Sequence, residues 1–223
     1  MNDIVAMIPV RKGSQRLKKK NYLDFGGVSI LENMVSKCVE SGVFDAIYLN
    51  TDDYALESIA EKYNINFLLR GAELADSNAT SDKVVYDFIK RVPCNKVVWV
   101  NTASPLQTVK DIEKSVIQFL ECHSKSFVAV NAIRTHCVMN NEPMNFKYTD
   151  PFAKTQDIAP ILKFVYSTMG WDAHYFRRKW EQGYCGLFDE KCKFIEVSDL
   201  AGILLKTDLD YQLVNAIRKG RSE

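Results

Sequence analysis

Short apolar runs and amphipathic helical stretches alternate through the first 130 residues, and that rhythm limits the fold more than any other feature. Ile4 to Val10 is an unbroken apolar run, the pattern of a strand buried on both faces of a parallel sheet. Ile30 to Ser41 places Ile30, Leu31, Met34, Val35, Cys38 and Val39 at helical spacing, with Ser29 as cap and Gly42 as stop. The alternation continues with a strand at Ala46 to Asn50, a helix at Tyr54 to Tyr63 capped by Thr51 or Asp52, and a strand at Ile65 to Leu69. A helix at Lys83 to Arg91, opened by Ser81 and Asp82, precedes a strand at Lys96 to Val100, a helix at Val109 to Cys122 and a strand at Ser126 to Val130. These spacings suit right-handed crossovers, so the chain reads as α/β: a mostly parallel central sheet flanked by helices.

The rhythm fails over residues 131–170, which are rich in Asn, Thr and Pro and read as an insertion within a single domain spanning 1–223. Beyond it, Tyr175 to Arg177 reads as a return to the sheet, and Phe194 to Val197 and Gly202 to Leu205 as short strands. Thr207 to Lys219 reads as a last amphipathic helix, with Thr207 and Asp210 at capping-box spacing.

Ligands of open α/β sheets bind beyond the carboxyl ends of the strands. The segment leaving the first strand carries Arg11, Lys12, Arg16, Lys18, Lys19 and Lys20 around Gly13 and Ser14. Loop N–H groups with Arg and Lys beside them suit a polyphosphate. The spacing is neither a P-loop nor G-x-G-x-x-G. Thr51 to Asp53, Arg70 and Asn101 to Gln107 follow the next three strands and should meet the basic loop on one rim. A net charge of +1 over 223 residues argues against a nucleic-acid partner, so the basic loop is a local concentration. No apolar run reaches the roughly 18 residues that span a bilayer. With no signal-peptide pattern at its start, the chain is expected to be cytoplasmic, without a membrane partner. Cys38, Cys94, Cys122, Cys137, Cys185 and Cys192 are scattered with no C-x-x-C pair, which fits free thiols rather than disulfides or a zinc site.

Seven pieces, in order, resemble the acylneuraminate cytidylyltransferases, the CMP-sialic acid synthetase family. Residues 8–21, I-P-V-R-K-G-S-Q-R-L-K-K-K-N, resemble that family's opening motif, and Phe25-Gly26-Gly27, Ser41 to Asp45 and Thr51-Asp52-Asp53 follow as its next pieces do. Residues 68–81, Thr102 to Leu106 and Thr155 to Asp157 complete the series. The resemblance implies a Rossmann-like nucleotidyltransferase fold, with 131–170 as a dimerisation arm and a homodimer as the working unit. It implies transfer of CMP from CTP to a sialic-acid-like sugar acid, with release of pyrophosphate. By the same resemblance Arg11 and Lys20 are catalytic and hold the triphosphate, with Gly13, Ser14 and Asn21 beside them. Arg70, Ala79 and Ser81 fall at the cytosine and ribose positions, and Asn101, Ser104, Gln156 and Tyr175 on the acceptor side.

Mg²⁺ is also implied, but its usual aspartate positions are Leu204 and Lys206 here, so no metal ligands are assigned. Lys206 is a candidate to replace the cation electrostatically, and Asp52 a candidate substitute ligand; Asp208 and Asp210 read as helix-capping residues. Asn101 stands where the family has Gln, Gln107 where it has Arg, and Asp172 to Tyr175 is a weak match to its N-G-A-I-Y. The nucleotide half therefore looks intact and the acceptor half altered. Two further readings stay open: a non-catalytic nucleotide-binding homologue, and a cytidylyltransferase for an unusual acceptor. His136 and His174 lie in the altered half.

Overall fold

A computed structural model describes residues 2–13, 17, 19–76 and 78–221. Ser14, Arg16 and Lys18 lie outside the described residues. The seven-stranded sheet is ordered β3-β2-β1-β4-β8-β5-β9, where β1 is Asn2–Val10, β2 Ala46–Thr51, β3 Asn66–Leu69, β4 Cys94–Val100, β5 Ser126–Ile133, β8 Ile161–Asp172 and β9 Cys192–Glu196. All neighbours run parallel except β8, which is antiparallel to both β4 and β5. The helices are α1 Ile30–Ser41, α2 Glu57–Lys62, α3 Ser81–Arg91, α4 Val109–Glu121, α5 Ala173–Glu181 and α6 Asp208–Gly220.

The alternation of β1 explains the layering. Ile4, Ala6, Ile8 and Val10 face a core shared with Leu31, Met34 and Val35 of α1 and Ile112, Val116 and Phe119 of α4. Val5 and Met7 face the opposite core, with Val85 and Phe88 of α3 and Phe176 of α5. Burial of β1 between two helical layers is what its unbroken apolar run requires. Helix starts are fixed locally. Ser29 with Glu32, Thr108 with Asp111, and Thr207 with Asp210 each form a reciprocal capping box, and Gly42 ends α1 at φ 61°.

The structure corrects several expectations. The helix after β2 begins as a 3₁₀ turn capped by Asp53, whose carboxylate accepts from the Ala55 N–H at 3.3 Å, rather than by Thr51 or Asp52. Thr80, not Ser81 or Asp82, caps α3. Residues 131–133 and 161–170, expected within the insertion, lie in the central sheet. The segment between them carries the two-stranded pair β6 (Val138–Met139) and β7 (Glu142–Pro143) and a 3₁₀ turn at Thr155–Asp157. Tyr175 to Arg177 lies in helix α5, whose Asp172 cap accepts from the Tyr175 N–H at 2.9 Å. Residues 202–205 form no strand. Asp199–Gly202 is a 3₁₀ turn, and Leu205 makes a single backbone bond, to the Ala103 carbonyl at 2.7 Å.

Candidate functional site

The connections of β1 to β2 and β3 run outward on one side of β1, and β4 lies on its other side. Strand order therefore reverses between β1 and β4, and a crevice opens beyond their carboxyl ends. A cleft of about 230 Å³ occupies it. Its lining includes Arg11, Lys20, Asn21, Arg70, Ala79, Ser81 and Asn101, seven residues assigned to the site from the sequence, together with Lys206.

Each wall is tied to the sheet. The basic loop is anchored to the segment after β2: the Lys12 N–H donates to Asp52 at 2.9 Å, and the Lys12 ammonium lies 3.5 Å from Asp53. Asp53 also accepts from the Tyr22 hydroxyl at 2.5 Å. That hydrogen bond, foremost, holds the Asp53 carboxyl below the usual carboxylate range, even though burial pushes it the other way. Asp52 and Asp53 thus brace the cationic loop. Lys20 opens a 3₁₀ turn with Asn21, whose buried side-chain oxygen accepts from the Thr102 hydroxyl at 2.9 Å. Arg70 is buried, donating to the Asn50 side chain at 3.0 Å and to the Val10 carbonyl at 3.1 Å. Burial first, and the charge of Arg11 as well, lower its pKa from the ordinary guanidinium value, against the pull of Asp52. Gathering such cations costs free energy until an anion meets them.

Residues 101–107 form the hub of the site. The Asn101 side chain donates to the Tyr166 carbonyl at 3.2 Å and accepts from the Ala103 N–H at 2.9 Å, so it is turned toward β8. Tyr166 is held at φ 53°, a left-handed conformation rare for an aromatic residue, where the β8 register shifts against β5. The Pro105 carbonyl accepts from Asn33 at 3.1 Å and from the Lys37 ammonium at 2.7 Å. Burial pushes Lys37 down to about 8, with Asp111, Cys38 and Glu40 opposing the shift and Arg221 adding to it. The cost of a buried ammonium is fully present below pH 8 and vanishes above the ordinary lysine value, where folded and unfolded states are both neutral. Lys37→Met should therefore stabilise the fold relative to wild type by about 1–2 kcal/mol at pH 7.5, with the gap closing by pH 10. Urea midpoints of both proteins at the two pH values check this; a gap independent of pH refutes it.

Four sequence-assigned residues do not line the cleft. Ser104 is fully buried and donates to the Ala201 carbonyl at 2.6 Å, a packing role that leaves its hydroxyl nothing to offer an acceptor. Tyr175 sits on α5 with its hydroxyl hydrogen-bonded to Asp189. Gln156 is exposed on the 3₁₀ turn between β7 and β8, and Gly13 is exposed on the basic loop. The cleft also takes in Pro9, Leu17, Leu74, Asp76, Val84, Trp99, Thr102 and Leu205, which sequence reading did not single out. Thr102 and Asp76 lie within the matched segments, where a polar residue beside an assigned one was the available signal. His136 stacks on Phe152 at 4.1 Å, in the segment between β5 and β8, and His174 is exposed on α5.

The implied Mg²⁺ can be tested against these side chains. A hard cation needs oxygen ligands. Leu204 is aliphatic and Lys206 cationic, while one oxygen of the Asp210 carboxylate accepts from the Lys206 N–H, the Thr207 N–H and the Thr207 hydroxyl in the cap of α6. Among the described residues, Asp76 is the one carboxylate in the lining, and no three His, Cys, Asp or Glu side chains gather as a ligand set. The residues present do not fit a side-chain-held Mg²⁺.

Solved structures share this architecture. CMP:2-keto-3-deoxy-manno-octonic acid synthetase complexed with CTP superposes with a TM-score of 0.73 at 14% identity, covering 98% of this chain and 99% of that one. A 4-diphosphocytidyl-2C-methyl-D-erythritol synthase from Anaerococcus prevotii gives 0.69 at 18% identity, covering 97% and 98%. In sequence, the pseudaminic acid cytidylyltransferase of Campylobacter jejuni is 27% identical over 131 residues, 56% of this chain and 56% of that protein. The N-acylneuraminate cytidylyltransferase of Escherichia coli is 37% identical over 87 residues, 39% of this chain and 20% of that protein. The matches therefore span about half the length of the first relative and a fifth of the second. No helix among the described residues is long and apolar enough to cross a membrane. The cytidylyltransferase family model matches residues 5–179, which hold β1 through β8 and most of the cleft, and the chain belongs to the cytidylyltransferase family.

Proposed function

We propose that this protein is a nucleotidyltransferase that moves CMP from CTP to a sugar acid of the sialic or pseudaminic type. The observation that carries the reading is the cationic cleft at the strand-order reversal of a cytidylyltransferase-family fold. A triphosphate in that cleft meets Arg11 and Lys20 from the loop after β1, and the nucleoside lies toward Arg70, Ala79 and Ser81. The acceptor hydroxyl oxygen bonds to the α-phosphorus as the bond to the bridging oxygen breaks, and pyrophosphate leaves with that oxygen. The hydroxyl proton passes to solvent. Arg11 and Lys20 neutralise charge on the transferring and leaving phosphates, which is most of what a protein contributes to such a step.

On the acceptor side, Asn101 is the assigned residue that lines the cleft, and its amide is committed to β8. A homodimer fits the exposed apolar surface of Val138, Met139, Met144, Tyr148 and Phe152, all in the segment between β5 and β8.

Incubation with CTP and a panel containing N-acetylneuraminate, pseudaminate and 2-keto-3-deoxy-octonate should release pyrophosphate with at least one acid, and not with UTP in place of CTP. The same preparation should sediment as a dimer. CTP that fails to bind in calorimetry overturns the nucleotide reading. CTP that binds without turnover on any acid favours a non-catalytic homologue, and a monomer removes the dimer.

A further inference from the structure

The charge of the cleft is lopsided. Among the described residues its lining holds the cations Arg11, Lys20, Arg70 and Lys206 against the single carboxylate of Asp76. Three of those cations come from the loops after β1 and β3. The fourth comes from residues 203–206 and is set there firmly. The Leu205 N–H donates to the Ala103 carbonyl at 2.7 Å, and its side chain is buried with Leu17, Phe25 and Ile30. The Lys206 N–H donates to Asp210 at 2.9 Å, inside the capping box of α6. The Lys206 backbone is thus pinned on both sides while its side chain stays exposed at the cleft wall. Of the two carboxylates that follow it, Asp208 is exposed in the first turn of α6, and Asp210 takes three cap donors on one oxygen while, against burial, those bonds and the Lys206 charge hold its pKa down.

A wall built this way repels a metal ion and attracts a phosphate. A lysine ammonium is a compact point charge with three donors on a flexible stem, well suited to phosphate oxygens whose charge moves during transfer. Leu204, beside it, supplies no oxygen for a metal.

We propose that Lys206 is a catalytic residue of the cytidylyl transfer, its ammonium touching the phosphates of bound CTP and supplying at this wall the positive charge that a side-chain-held divalent cation would otherwise supply. The inference rests on the nucleotidyltransferase reading above. It carries a consequence that reading alone does not: CTP binding and pyrophosphate release persist when divalent cations are chelated.

Calorimetric titration with CTP, in excess EDTA and in Mg²⁺, of wild type, Lys206→Met and Lys206→Arg separates the outcomes. Wild-type affinity should differ by less than about threefold between the two buffers. Lys206→Met should lose about tenfold or more in EDTA, the size expected for a charge-assisted phosphate contact, while Lys206→Arg stays within about threefold of wild type. Pyrophosphate release in EDTA should fall further in Lys206→Met than CTP affinity does, because the contact strengthens as charge builds on the leaving group. Wild type that binds CTP only with Mg²⁺, or Lys206→Met that binds as wild type does in EDTA, overturns the proposal. No CTP binding by wild type in either buffer instead removes the nucleotide reading of the cleft. An exposed side chain leaves folding untouched, and matching circular-dichroism melts of the three proteins verify that.

Discussion

Arg11→Ala and Lys20→Ala should each weaken CTP binding by about ten- to a hundredfold, the loss expected when a charge-assisted contact to a phosphate is removed. Both side chains line the cleft, Arg11 directly after β1 and Lys20 at the start of the 3₁₀ turn that follows the basic loop. Arg11 sits on a loop whose base is clamped by the Lys12 N–H bond to Asp52, so truncation removes the guanidinium without releasing the loop. Lys20 leads into Asn21, which the Thr102 hydroxyl holds to the opposite wall. Lys12 is the internal control. It is cationic and close in sequence, but its ammonium is spent on Asp53 and it does not line the cleft. Lys12→Ala should change CTP affinity by less than about threefold, as for a solvated ion pair. Calorimetry at two salt concentrations checks all three, because lost phosphate contacts also flatten the salt dependence. Arg11→Ala that binds CTP like wild type would mean that the polyphosphate does not sit beyond β1.

The parts of this fold that were legible in the sequence are those whose signals are local. Ser29 with Glu32 and Thr207 with Asp210 announce helix starts within four residues, and the boundaries of α1 follow from Ser29 and Gly42. The unbroken apolar run of β1 reads as a doubly covered strand because burial on both faces leaves no alternation. Strand β8 was not legible. Its partners lie far away in sequence, and the left-handed Tyr166 interrupts its pleat, so that no single period runs from Ile161 to Asp172. Helix α5 was misread because Tyr175 and Phe176 favour strands, and only Ala173 and Phe176 of its residues are buried. Gly202 to Leu205 has strand composition but no strand beside it to pair with; Leu205 bonds a loop carbonyl instead.

The site divides in the same way. Arg11, Arg70 and Asn101 follow strands whose ends were legible, Lys20, Asn21, Ala79 and Ser81 were placed by the resemblance of their segments to the family, and sheet topology brings them together. Ser104 could not be judged from its neighbours. Whether a hydroxyl faces a ligand or a backbone carbonyl depends on residues 97 positions away, here Ala201. The long-range ties of the 101–107 hub, to Asn21, Asn33, Lys37, Ala201 and Leu205, hold that segment in place, and none leaves a pattern in the sequence.

A buried carboxylate beside the hub predicts a large effect outside the cleft. Asp111→Ala should cost about 3–4 kcal/mol of stability, since it removes one half of a capping box and strands four donors from Thr108 and Ser198 at once. The Asp111 carboxylate accepts from the Thr108 N–H at 2.9 Å and hydroxyl at 2.7 Å, closing the capping box of α4. It also accepts from the Ser198 N–H and from the Ser198 hydroxyl, both at 2.8 Å. Ser198 caps the 3₁₀ turn Asp199–Gly202, whose Ala201 carbonyl holds Ser104 and which leads into Leu205 and Lys206. Burial pushes the carboxyl up, but the hydrogen bonds from Ser198 and Thr108 outweigh it and hold Asp111 below the usual carboxylate range. The sign follows from linkage. Its folded pKa is depressed, so its contribution is complete above the unfolded value near 3.9 and is lost as pH falls through the folded one. Asp111→Asn keeps one acceptor oxygen and should cost about half as much at pH 7, with the difference from wild type shrinking below pH 4. Urea unfolding from pH 3 to pH 7 measures both variants. A pH-independent gap between Asp111→Asn and wild type would refute the ionised hub, and an Asp111→Ala cost under about 1 kcal/mol would show that the turn before Lys206 is held by other contacts.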